Sequence, residues 1–160
     1  MKYLKSIGTD IDGVQVKKKK KSFFWSGKYH MDLNRRDTLV TDLNVLANFD
    51  PILPEKYTDA EFLILGNIDP SLQAKVISQM TTRPRLIAMD TMNFWMEIAL
   101  EPLKSVLKMV DLLIVNEEEA RQLTNEYSLV KAAGKIKEMG PRFLIIKKGE
   151  HGALLFHGNR

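Results

Sequence analysis

The sequence predicts an α/β fold, a three-layer parallel sheet represented in part, preceded by a small β-rich segment. Three observations carry this reading. Four short apolar runs recur after residue 57, at 62–66, 86–90, 112–116 and 143–148, and continuous apolar runs of this length suit strands buried on both faces. Helical segments separate the runs, so strand and helix alternate as in βαβ units with right-handed crossovers. Before residue 57 the rhythm is different, with a period near two and many β-prone residues. The expected division is residues 1–56, holding the β-rich part, and residues 57–160, the α/β core.

In the β-rich part, TLVTDLNVL (residues 38–46) sets Leu39, Thr41, Leu43 and Val45 against Val40, Asp42, Asn44 and Leu46. That alternation marks a half-buried strand. SFFWSGKYH (residues 22–30) is aromatic and β-prone, and MDLNRRD between the two is turn-like. A small antiparallel sheet with one wet face is expected over residues 14–47.

In the core, Asp69 is placed to cap a helix whose first residue is Pro70 and which runs through SLQAKVISQM. A second helix is expected over 98–109 and a third just after Asn116. A fourth spans about 128–139 and stops at Gly140-Pro141. Gly134 weakens that fourth helix by about 1 kcal/mol relative to alanine; close packing against the sheet is a structural reason for it.

Composition excludes several functions. The 160 residues include no cysteine, which removes disulfides, thiolate zinc sites, iron–sulfur ligation and a cysteine nucleophile. Of 24 basic residues, five form the run 17–21, leaving 19 against 20 acidic residues elsewhere. That balance argues against a broad nucleic-acid footprint, and the lysine run reads as a solvated turn or edge strand. No apolar stretch approaches the roughly 18 residues of a membrane span, and MKYLKSIGTD lacks the apolar centre of a signal peptide. A cytoplasmic protein is expected. His30, His151 and His157 have no metal-ligand spacing. Neither G-x-x-x-x-G-K-[ST] nor G-x-G-x-x-G occurs.

Each apolar run of the core ends in polar or glycine residues: Gly66-Asn67, then Asp90-Thr91-Met92-Asn93, then Asn116 with three glutamates, then Lys147-Lys148-Gly149. In an open parallel sheet these positions share the carboxyl edge, where ligands bind. Two readings stand for Asn116 to Glu119. Asparagine followed by acidic residues is a good helix start, and an amide with a carboxylate at such an edge can hold magnesium-bound water beside a phosphate. Gly149 and Gly152 permit positive φ in a turn between FLII and ALLF, either as a plain hairpin or to let a ligand approach the backbone.

Assembled in this order, the segments resemble the ribokinase-like PfkB carbohydrate kinases. VNEEEARQLT (residues 115–124) is similar to the family's N-x-x-E element, with Asn116 and Glu119 in the fixed places. FLIIKKGEHGALLF (residues 143–156) resembles the nucleotide-side strand–turn–strand, with Gly149 and Gly152 at the paired glycines and Lys147 where many members carry threonine. LIAMDTMNFW (residues 86–95) resembles the strand that lines the phosphate-transfer site, although it departs from D-P-N-x-R. The segment around KSFFWSGKYH resembles the lid sheet that closes over the sugar.

The resemblance implies ATP-dependent phosphorylation of a sugar or nucleoside hydroxyl, with Mg2+. It places Asn116 and Glu119 at the metal and phosphate, and Lys147, Gly149 and Gly152 at the nucleotide. Asn67, Asp90 and Asn93 fall on the substrate and phosphate edge. It allows a homodimer through the lid and implies neither nucleic acid nor membrane as partner. Family members run to about twice this length. They open with a glycine-rich sugar-binding segment and carry, beyond the glycine turn, a G-A-G-D element whose aspartate is the general base. Neither lies within residues 1–160, so this chain alone is expected to be inactive. The competing reading is a non-catalytic binding or assembly module that retains part of a kinase-like sheet.

Overall fold

A computed structural model describes residues 1–31 and 36–158. The chain divides into two compact units, Met1–Tyr57 and Thr58–Arg160.

The first unit opens with a short helix α1 (Lys2–Ser6) that the sequence reading did not anticipate. Strands β1 (Phe24–Tyr29) and β2 (Arg36–Asp42) pair antiparallel, with an irregularity at Ser26/Gly27. Gly27 leaves room there for the Trp25 ring, from which an added Cβ would stand 2.2 Å. The turn expected between the strands falls largely on residues outside the described ones. The strand expected over 38–46 ends at Asp42 and is followed by a 3-10 helix, Asn44–Asn48. The cause is local. Asn44 takes a left-handed φ of 49° and its amide nitrogen donates to Ser22 O at 2.9 Å, which bends the chain out of extension.

The second unit is built on a five-stranded sheet in the order β3 (Phe62–Leu65), β4 (Leu86–Asp90), β5 (Leu112–Asn116), β6 (Phe143–Lys147) and β7 (Ala153–His157). The first four strands are parallel, and β7 returns antiparallel to β6. All four apolar runs are thus strands, as expected. Between them lie α2 (Pro70–Ser78), α3 (Asn93–Ile98), α4 (Leu100–Leu107), α5 (Glu117–Thr124) and α6 (Leu129–Glu138).

Asp69 caps α2 by accepting from the Ser71 amide at 2.8 Å, with Pro70 in the first turn. The helix expected over 98–109 is α4, Leu100–Leu107; α3, Asn93–Ile98, precedes it unanticipated, and the two are separated by a break at Ala99 (φ −142°). Pro102 explains the break: it is tolerated in the first turn of α4, whereas in one continuous helix its ring would meet the carbonyl of Ile98. Gly134 faces open space, with nothing within 4 Å of an added Cβ, so close sheet packing is not its reason.

Sheet register separates two faces. Leu65, Met89, Leu113, Val115, Leu144 and Ile146 share one face and join Leu103, Leu107, Leu123 and Ile136 of the helices in a single buried cluster. On the other face, Phe62, Ile64 and Leu155 are 57%, 79% and 66% exposed. The strands are therefore apolar on both sides, while the helix layer of these residues covers one. No described helix is long and apolar enough to cross a membrane.

Candidate active site

The two ends of the parallel sheet differ in how their polar groups are satisfied. At the amino end, Asp111 accepts from the Ile87 amide at 2.9 Å and receives both arms of the Arg83 guanidinium at 3.2 and 3.1 Å. At the carboxyl end, three buried side-chain oxygens have no hydrogen-bond partner among the described residues: Gln73 Oε1, Asp90 Oδ1 and Thr91 Oγ1. Buried polar atoms are normally paired, so a cluster of spare ones marks an edge poised for water or ligand.

Asp90 is the last residue of β4, and its carboxylate lies 3.8 Å from Lys147 Nζ at the end of β6. Strand β5 runs between those two, so the lysine reaches across it. Next along the edge, Glu117 stands 4.0 Å from Lys148 Nζ and 3.8 Å from the Arg121 guanidinium. Acidic groups at the ends of β4 and β5 thus face basic groups at the end of β6. At half-exposed side chains each pair contributes little stability, and the cations are free to turn toward an anion.

Asn116 and Glu119 are brought together, but first as a helix cap. Asn116 Oδ1 accepts from the Glu119 amide and Glu119 Oε2 accepts from the Asn116 amide, each at 2.8 Å. This is a reciprocal capping box, and Glu119 is only 3% exposed. The capping reading of the segment is therefore realised in the geometry.

Gly149 and Gly152 have φ of 56° and 82°, values that glycine adopts without strain. The turn they form is closed by the Lys148 amide donating to Gly152 O at 2.7 Å. Asn67 follows β3, and its Oδ1 accepts from Trp95 Nε1 at 2.8 Å. Asn93 starts α3 and is half-buried.

Two residues that the sequence reading passed over hold this edge in shape. Gln73, fully buried, donates to Gly66 O at 2.8 Å and to Asp90 O at 3.1 Å. It ties the ends of β3 and β4 just beyond their last paired residues, Leu65 and Met89. A signal existed: Gln73 shares a helix face with Pro70, Ala74 and Ile77, a polar residue on an otherwise apolar stripe. Trp95, 9% exposed, packs edge-on to Phe94 and anchors Asn67.

Among the described residues no three His, Asp or Glu side chains converge as metal ligands. Magnesium does not demand such a cage, since phosphates and waters fill most of its positions beside one or two carboxylates. The spare oxygen of Asp90 is a donor of the right hardness for that role.

Known proteins share this fold. The model of the pfkB family of carbohydrate kinases matches residues 1–160. A cytidine kinase of Thermococcus kodakarensis is 26% identical over 110 residues, covering 67% of this chain and 39% of its own length. A nucleoside kinase of Burkholderia thailandensis, solved with inosine, superposes with TM-score 0.69 at 16% identity, over 99% of this chain and 52% of that one. An E. coli protein classed as a ribokinase II, solved with ATP and Mg2+, gives TM-score 0.74 at 18% identity, over 98% and 54%. The chain thus spans about half the length, or less, of the relatives it matches.

Proposed function

From a chain that belongs to the pfkB family of carbohydrate kinases, we propose a part in ATP-dependent phosphorylation of a hydroxyl on a sugar or on the ribose of a nucleoside. The observation that carries this is the carboxyl edge itself, where Asp90 with its spare oxygen faces Lys147 across β5.

Phosphoryl transfer needs positioning and charge stabilisation more than covalent help. Mg2+ bound to the nucleotide would supply charge neutralisation on the transferring phosphate. Lys147 and Lys148 would meet phosphate oxygens, and the Gly149–Gly152 turn would let a flat base approach the backbone closely. Asp90 would accept a hydrogen bond from the substrate hydroxyl or from a metal-bound water. Glu119, held by the Asn116 amide, would fix a negative charge at the start of α5. Asn67 and Asn93 would line the substrate side. The β1–β2 sheet would act as the lid, and a lid-mediated homodimer is part of the same reading, as is a cytoplasmic location. A relative named as a cytidine kinase and a nucleoside kinase solved with inosine support testing nucleosides beside sugars.

The base that deprotonates the hydroxyl is expected from outside residues 1–160. The test is a coupled kinase assay over a panel of sugars and nucleosides. It compares purified residues 1–160 with a polypeptide of the relatives' length that carries this segment. Transfer is expected only from the longer protein, and Lys147→Ala in it should raise the KM for ATP. Robust turnover by residues 1–160 that vanishes with Asp90→Asn would make Asp90 the base and overturn the assignment.

A further inference from the structure

The first unit holds a cavity of about 320 Å3 that the kinase reading does not use. It is an open groove, lined by Val45, Leu46 and Phe49, by Val16, itself 62% exposed, and by Lys17 and Lys20. The lysine run is not a free tail. Gln15 Nε2 donates to Asp50 O at 3.0 Å, Asn44 Nδ2 to Ser22 O at 2.9 Å, and the Val45 amide to Lys21 O at 3.2 Å. These bonds staple the segment 15–22 along the 3-10 helix Asn44–Asn48. The Lys20 amide also donates to Lys17 O at 3.1 Å, so the two lysines share one turn and their stems start close together.

Charge and shape then specify an occupant. Among the described residues no ion pair involves any lysine from 17 to 21, although acidic partners hold Lys56, Lys104 and Lys135. Five adjoining like charges repel one another until an anion lies between them. Two ammonium groups in one turn match a divalent anion, and the apolar wall matches an uncharged body attached to it. A concave site of this volume suits a small molecule rather than a duplex or a bilayer, and the balanced charge elsewhere offers no extended basic track.

We propose that this cavity binds a phosphorylated small molecule, its phosphate between Lys17 and Lys20 and its apolar or planar body against Val45, Leu46 and Phe49. None of these residues belongs to the strand edge of the second unit, so the proposal stands or falls apart from the kinase reading.

Site-resolved NMR on the 15N-labelled chain tests it at low salt. The probes are ADP, ribose 5-phosphate and inorganic phosphate, with a single-stranded oligonucleotide and anionic vesicles as further arms. Expected are saturable amide shifts in residues 15–22 and 45–49 with ADP or ribose 5-phosphate, whichever binds tighter identifying the body. Inorganic phosphate should bind at least about tenfold more weakly. Lys17→Gln with Lys20→Gln should weaken binding by about tenfold or more, whereas Lys18→Gln with Lys19→Gln should leave it within about twofold. The amide spectra of the variants report directly that the fold is kept. Absence of shifts in these segments, equal binding of inorganic phosphate, or equal loss in both lysine pairs would overturn the proposal. So would tighter binding of the oligonucleotide or the vesicles.

Discussion

Asn116 and Glu119 satisfy each other's backbone, each side chain accepting from the other's amide at 2.8 Å. The pair that the family resemblance puts at the metal is thus also the start of α5, and substitution must separate the two roles. Glu119→Gln retains an oxygen that can accept from the Asn116 amide and loses only the charge beside the helix N-terminus. It should cost under about 1 kcal/mol. Glu119→Ala removes the acceptor and should cost about 1–2 kcal/mol. Urea denaturation measures both. In a polypeptide of the relatives' length, Glu119→Gln should also raise the Mg2+ concentration needed for half-maximal rate. Equal destabilisation by both variants, with kinetics per folded molecule unchanged, would leave capping as the whole role.

In the first unit Lys56 bonds to both Asp10 and Asp12, the latter at 2.6 Å. The Lys56 hydrogen bond holds the Asp10 carboxyl well below its ordinary value of 3.8. The same bonds, Asp10 first, push Lys56 above its ordinary 10.5. The sign follows from linkage. The depressed Asp10 contributes stability above about pH 3.8 that is lost as pH falls further. The raised Lys56 contributes below about pH 10.5 and loses it as pH rises beyond. Lys56→Met should therefore lower the melting temperature of this unit at pH 7 and progressively less below pH 3.8. Trp25 fluorescence in a Trp95→Phe background follows it. The side chains are about half exposed, so the difference should be small and should shrink with salt.

Two glycines of the second unit should respond oppositely to alanine. Gly140 has φ of 142°, and an added Cβ would stand 2.4 Å from Leu107 O and 2.7 Å from Lys108 Cα. Both are backbone atoms that cannot give way, so Gly140→Ala should cost about 2–4 kcal/mol. Gly134, exposed inside α6 with open space around it, should gain about 1 kcal/mol on the same change. Chemical denaturation of the two variants checks both signs.

These contrasts show what was legible in the sequence. The strands β3 to β6 were readable because four apolar runs repeat between helix starts, and Asp69-Pro70 announced α2 with its cap. The break at Ala99 was written in Pro102, but only in combination with the position at which the helix begins. The end of β2 depended on Asn44 reaching Ser22, a contact 22 residues away that no local period reveals. At the edge, Asp90, Asn116 and Lys147 were found because strand ends share one side of a parallel sheet. Gln73 was missed because its role rests on two carbonyls, Gly66 and Asp90, that meet only once β3 and β4 pair. Gly134 misled for a related reason: sequence shows the missing side chain, not the space beside it.

The clasp of Gln73 yields a further expectation. Gln73→Leu keeps the volume and removes both donors, leaving the carbonyls of Gly66 and Asp90 without their side-chain partner. The cost should be about 1–3 kcal/mol, accompanied by a shift in Trp95 emission as Asn67 and its loop loosen. Unchanged stability and emission would mean that water replaces the amide at no cost.

The uncovered sheet face gives the last expectation. Phe62, Ile64 and Leu155 are more than half exposed, and Ile64 and Leu155 lie on β3 and β7, the outer strands of the described sheet. Apolar side chains exposed on both outer strands favour association, so residues 1–160 should self-associate at micromolar concentration and bind a hydrophobic dye. Ile64→Lys with Leu155→Lys places charge on both outer strands, where it blocks edge and face contacts. Because both side chains are already largely in water, the pair should cost little stability while shifting the protein toward monomer and lowering dye binding. Light scattering coupled to size-exclusion chromatography reads the change. In a polypeptide of the relatives' length the sign should reverse. If the additional chain covers this face, the same substitutions bury two ammonium groups without partners and destabilise the protein. A wild-type chain that stays monomeric and dye-free at high concentration would show that this face does not associate in water.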